Sequence, residues 1–177
     1  MLDEKTIEQE LKENTDMLLS YLNDIDDELL LVHPSENVWS MMQCYEHILI
    51  LELAIKNLLR GKTEKCERNP TEMVEKIKYR FSDYDRKYTA GERIRPKGII
   101  KDKEVMQREF QNNRKELLTM LKNGSLQELC LDYPHAIFGT LTRIEWYYFC
   151  IFHAERHLHQ MKEIEDHLPT HHKRVRL

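Results

Sequence analysis

His47, His153 and His157 are the residues whose type and spacing best suit chemistry in this chain of 177 residues. His153 and His157 stand four apart, so on a helix they sit one above the other on the same face. His47 lies in a separate long run with apolar neighbours. A buried imidazole needs partners for both ring nitrogens, or desolvation costs it free energy. Three such rings pointing into one core would each need a separate polar partner, whereas one divalent metal satisfies all of them together. Three protein ligands plus an open fourth position is the pattern of a reactive metal site. Neutral imidazole suits zinc, nickel, iron or copper rather than magnesium or calcium.

The elements that must position these rings read as helices. Thr6–Leu22 carries an apolar stripe of Leu11, Leu18, Leu19 and Leu22. Ser40 and Gln43 form a capping box that starts a second helix, residues 41–60, with Gly61 as its stop. At about 100° per residue, Gln43, Cys44, Leu51, Ala54 and Leu58 share the face of His47. Asp102 caps a third helix, residues 103–122, and Ser125–Leu131 reads as one further turn. Thr142 and Glu145 form a second capping box and start the fourth helix, residues 143–166. On it Trp146, Phe149, Cys150, Gln160 and Ile164 share the face of His153 and His157. No strand pattern appears, so the expected fold is all-α, an antiparallel four-helix bundle in one domain spanning residues 1–177. Residues 62–101 are the least regular stretch and read as a crossover insertion. Within it Pro70–Phe81 suggests a short helix, and Thr89–Ile100 a loop covering one end of the bundle.

Around the histidines, Gln160 reads either as a hydrogen-bond partner that orients an imidazole or as a cap on a neighbouring backbone group. Trp39 and Trp146 flank the two halves of the site as core aromatics or as an apolar wall. Glu46, Glu52, Arg143, Glu145 and Arg156 are the charged neighbours; Glu46 and Arg156 read first as exposed surface charge, and otherwise as groups that orient a ligand. His159 points away from the site. His33, His135 and His167 read as surface residues, His135 being the one that could approach from the irregular segment 132–139. Cys44 and Cys150 each precede a candidate ligand by three residues and read as small core residues, with a thiolate near the metal as the sharper alternative.

Composition narrows the function classes. With 27 basic and 31 acidic residues interspersed, and a net charge of −4, no basic stripe points to nucleic acid. The basic run His171–Arg176 reads as a solvated tail. No apolar run approaches the roughly 20 residues a membrane helix needs. No signal-peptide core is visible, so a cytoplasmic location is expected, and there the four cysteines, which show no CxxC pairing, would stay reduced. There is no Gly-rich phosphate loop, no GxSxG, no HExxH and no Glu-x-x-His repeat.

Two segments resemble the DinB-like proteins. Val38-Trp39-Ser40 leading to His47-Ile48 is similar to the start of that family's second helix. Gly139-Thr140-Leu141-Thr142, Glu145-Trp146 and the His153, His157, Gln160 series are similar to its fourth. Residues 62–100 match nothing in it. The resemblance implies an up-down-down-up four-helix bundle, often a homodimer, with a divalent metal held by His47, His153 and His157. The implied cofactor is a transition metal, zinc first, with nickel, iron or manganese as alternatives.

Family members of known activity include bacillithiol S-transferases and a mycothiol-dependent maleylpyruvate isomerase; others are described as metal-dependent hydrolases. The expected function is therefore metal-dependent transfer of a low-molecular-weight thiol to a small electrophile. A coordinated thiol is deprotonated at neutral pH, so the nucleophile would be ready. The alternatives are hydrolysis by a metal-activated water, a non-catalytic metal- or ligand-binding bundle, and a structural dimer whose histidines are only hydrogen-bonded. No general base is evident in the sequence.

Overall fold

Four long helices supply most of the core, and in the computed structural model, which describes residues 3–168, each starts at an identifiable cap. α1 spans Glu4–Asp24, with Asp3 accepting from the Thr6 N–H at 2.9 Å. After the short α2 (Asp27–Leu30), α3 runs Met41–Leu59 from the complete capping box of Ser40 and Gln43. α4 covers Val74–Ser82, and a 3-10 turn follows at Glu92–Ile94. α5 spans Lys103–Leu121, capped by Asp102. α6 runs Arg143–His167 from the second complete capping box, Thr142 with Glu145. The long helices thus follow the sequence-based boundaries closely. The run His171–Arg176 lies outside the described residues.

Two expectations are corrected. Ser125–Leu131 is not a further helical turn: Leu129–Cys130 (β2) pairs antiparallel with Thr63–Glu64 (β1), Thr63 opposite Cys130. Two-residue strands carry no alternation that a sequence pattern could reveal. The short helix of the insertion begins at Val74 rather than Pro70, because Asn69 accepts from the Thr71 N–H and turns the chain there first.

α1 and α3 each pack against both α5 and α6, and α4 lies along α6. That extra partner explains why α6 is buried on nearly every side from Ile144 to Ile151 rather than along one stripe. Burying each such large apolar side chain contributes roughly 1.5–3 kcal/mol. The core also holds charge. Glu52 of α3 is fully buried and takes two hydrogen bonds from Arg114 of α5, at 2.6 and 3.0 Å, and one from Asn113 at 2.8 Å. Arg114 in turn donates to Asn14 of α1 at 2.9 Å, so one ionic cluster joins three helices. No described helix is long and apolar enough to cross a membrane.

Candidate metal centre

Packing α3 against α6 brings His47 opposite His153 and His157. The Nε2 atoms of His47 and His157 each lie 3.1 Å from Nε2 of His153. One ligand atom from each residue lies within 4.8 Å of the other two, and all three rings are buried. Burial pushes every one of these imidazoles below the usual 6.5, and His157 falls to about 3. For His153 and His157 the neighbouring rings add to that effect, so all three are neutral near pH 7.

Hydrogen bonds fix which nitrogen of two rings carries the proton. His47 Nδ1 lies 2.6 Å from the Ile94 carbonyl oxygen, which can only accept, so the proton is on Nδ1 and Nε2 is a bare lone pair. His157 Nδ1 donates to Gln160 Oε1 at 2.8 Å, with the same consequence. Two lone pairs therefore face His153 Nε2, which has at most one proton to share between them. His153 Nδ1 is buried with no hydrogen-bond partner among the described residues. A cation at the centre would accept all three lone pairs. Around a tetrahedral ion with metal–nitrogen bonds of 2.0–2.1 Å, ligand nitrogens sit about 3.3 Å apart, close to the 3.1 Å separations here. The donor set and its spacing fit a transition metal.

The walls are aromatic. Trp39 lies 4.9 Å from the His47 ring centroid and 6.4 Å from that of His157. Phe81, at the end of α4, stands edge-on to His153 at 5.5 Å and to Phe149 at 4.9 Å. Trp146 is one layer removed, against Phe149 and His135. His135 is half-buried rather than a surface residue. Its Nδ1 accepts from the Ile137 and Phe138 N–H groups, and it is not part of the ligand cluster. His33 and His167 each bond a backbone carbonyl, and His159 stacks flat on Tyr84 at 3.8 Å. Cys44 and Cys150 are buried thiols outside the cluster; burial pushes Cys44 up to about 12 and Cys150 well above its ordinary value.

The charged neighbours are not surface residues. Glu46 is buried and accepts from the Lys97, Gly98 and Ile99 N–H groups at 3.3, 2.7 and 3.3 Å. Arg156 is half-buried; it donates to the Phe81 carbonyl at 3.2 Å, the Asp83 carbonyl at 2.7 Å and the Arg86 carbonyl. Glu145 extends its capping role by pairing bidentately with Arg68, 2.7 Å at both oxygens. Glu52 is in the ionic cluster described above, and Arg143 lies 4.0 Å from Glu128. Three of these charges, Glu46, Glu145 and Arg156, hold the 62–101 insertion against the helices. The insertion then supplies Phe81 and the Ile94 carbonyl to the site. Neither was expected from sequence: a backbone carbonyl leaves no side-chain signal, and Phe81 could have been found only by recognising that α4 docks on α6.

A family model described as "DinB superfamily" matches residues 10–161. Among curated proteins, the chain is similar to the uncharacterized protein YuaE of Bacillus subtilis (strain 168), 25% identical over 150 residues that cover 82% of this chain and 88% of that one. No solved structure matches.

Proposed function

Because the chain belongs to the DinB superfamily, we propose that it is a metal-dependent enzyme that transfers a low-molecular-weight thiol to a small electrophile. The observation that carries this reading is the convergence of three neutral imidazoles through Nε2, two of them with the proton locked on Nδ1. The proposed ligands are His47, His153 and His157, and the proposed ion is zinc. Three protein nitrogens leave a tetrahedral ion one further position. When bound, the ion supplies a Lewis-acid position at which a thiol loses its proton.

The chain's own residues do the rest. The Ile94 carbonyl and Gln160 set the ring orientations of His47 and His157. Trp39, Phe81 and Phe149 exclude water, which strengthens every electrostatic interaction inside. No carboxylate or thiol joins the cluster among the described residues, and Glu46 is committed to backbone amides. Any nucleophile at this centre would therefore owe its deprotonation to the metal rather than to a general base, which a coordinated thiol allows and a coordinated water allows as well; hydrolysis is the second reading. We further propose that the four long helices follow the up-down-down-up order and that the chain forms a homodimer.

The test is zinc-loaded protein with monochlorobimane and a panel of small thiols. Thiol-dependent consumption, lost in His47→Ala, supports the reading. Absence of any thiol-dependent rate across the panel counts against it.

A further inference from the structure

The carboxylate that commonly orients a metal-binding histidine does so by direct contact. Here the histidine in question, His47, has a backbone carbonyl instead, and that carbonyl belongs to a strap with no regular structure beyond the 3-10 turn Glu92–Ile94. Something must hold the strap to within hydrogen-bond tolerance. Glu46 is adjacent to His47 on α3 and only 4% exposed, a position where an unpaired carboxylate would be costly. It is paired, with three successive N–H groups of the strap, Lys97 to Ile99, converging on its two oxygens. Such convergence requires an unusual backbone. Gly98 provides it at φ +66, a left-handed conformation that side chains other than glycine's rarely adopt. Pro96 stiffens the link between the amides and the turn, leaving Arg95 extended.

We propose that Glu46 is the positioning residue of this centre: by gathering the 97–99 amides it fixes the Ile94 carbonyl against His47 and thereby decides that Nε2, not Nδ1, is the nitrogen offered to the metal. The inference rests on the metal centre proposed above. Glu46 touches neither the ring nor the ligand position; it acts one step removed, through the backbone of the strap.

Two readouts test it, one of which needs no metal. Long-range ¹⁵N–¹H correlation spectra of the metal-free chain report the tautomer of each histidine. In the wild type His47 is the Nδ1–H form. In Glu46→Ala its nitrogen shifts move to those of an exchanging mixture, while His157, held by Gln160, is unchanged. Zinc affinity by competition with a chromophoric chelator falls about 10–100-fold in Glu46→Ala, with a smaller loss in Glu46→Gln, which keeps one acceptor oxygen. Unchanged His47 shifts together with zinc affinity within twofold of wild type overturns the inference. If Glu46→Ala does not fold, Glu46→Gln decides by the same two criteria. A wild type that binds no zinc removes the metal reading but leaves the tautomer test of Glu46 intact.

Discussion

His47 Nε2 and His153 Nε2 lie 3.1 Å apart although the two residues are 106 positions apart in the chain. One proton on His153 Nε2 can satisfy the lone pair of His47 or that of His157, but not both, whereas a cation accepts all three. The expected outcome of elemental analysis is about one transition-metal ion per chain, lost in His153→Ala. Ligand linkage gives about 2.7 kcal/mol of stabilisation at free metal 100-fold above Kd, and a domain of this size gains about 2–4 °C per kcal/mol. Chelation should therefore lower Tm by about 5–10 °C in the wild type and leave His153→Ala unmoved, as read by differential scanning calorimetry.

The metal-free chain should lose stability on acidification. His47, His153 and His157 have folded-state pKa values below the ordinary 6.5, so below that pH the unfolded chain binds more protons than the folded one. Stability is then fully present above 6.5 and declines as pH falls, with the His157 contribution complete near 3. Each such group contributes a slope of up to about 1.4 kcal/mol per pH unit. Glu52, whose carboxyl is pushed up by burial, acts in the opposite sense, and because it is present in both proteins its effect cancels when the wild type and a His157 variant are compared between about pH 6.5 and 5. Urea unfolding across that interval should show a shallower slope in His157→Gln than in the wild type.

Arg114 sits where a leucine would be expected. Its removal leaves Glu52 as a buried carboxylate with only Asn113 beside it on α5. Arg114→Met should cost about 3–5 kcal/mol, while Glu52→Leu combined with Arg114→Met should cost less than the single change, because no uncompensated charge remains. The midpoint of urea unfolding compares the two.

Arg156 binds the carbonyls of Phe81, Asp83 and Arg86 and lies 4.8 Å from the Tyr88 ring centroid. Lysine keeps the charge but cannot reach several acceptors in one planar fork. Arg156→Lys should leave the four long helices unchanged by circular dichroism and raise the rate of trypsin cleavage after Arg86 and Lys87 several-fold. Cleavage at the wild-type rate would show that the segment is held by other contacts.

The sequence made legible what periodicity and capping encode. Ser40 with Gln43 and Thr142 with Glu145 place the starts of α3 and α6, and counting around those helices puts His47, His153, His157 and Gln160 on their inner faces. Arg114 was also within reach: Phe110, Arg114, Leu117 and Leu121 share one stripe of α5, and a charge on such a stripe signals a buried partner. Glu46 and Arg156 could not be read the same way. Their partners are backbone groups of the insertion, and backbone groups have the same composition everywhere.

The insertion is anchored near its beginning, along α4 and at its end. β1 pairs with β2 and Arg68 with Glu145 near its beginning, and Glu46 clasps its end. Phe81 and Ile94, the two points that reach the histidines, are therefore fixed independently of the span between them. Lengthening a tethered span is inexpensive, since doubling a flexible loop costs only about 0.6 kcal/mol in closure entropy. The short stretch Thr89–Ala90, between the Tyr88 contacts and the turn at Glu92–Ile94, is thus a place where this architecture can accept a longer chain, and with it a different roof over the same three imidazoles.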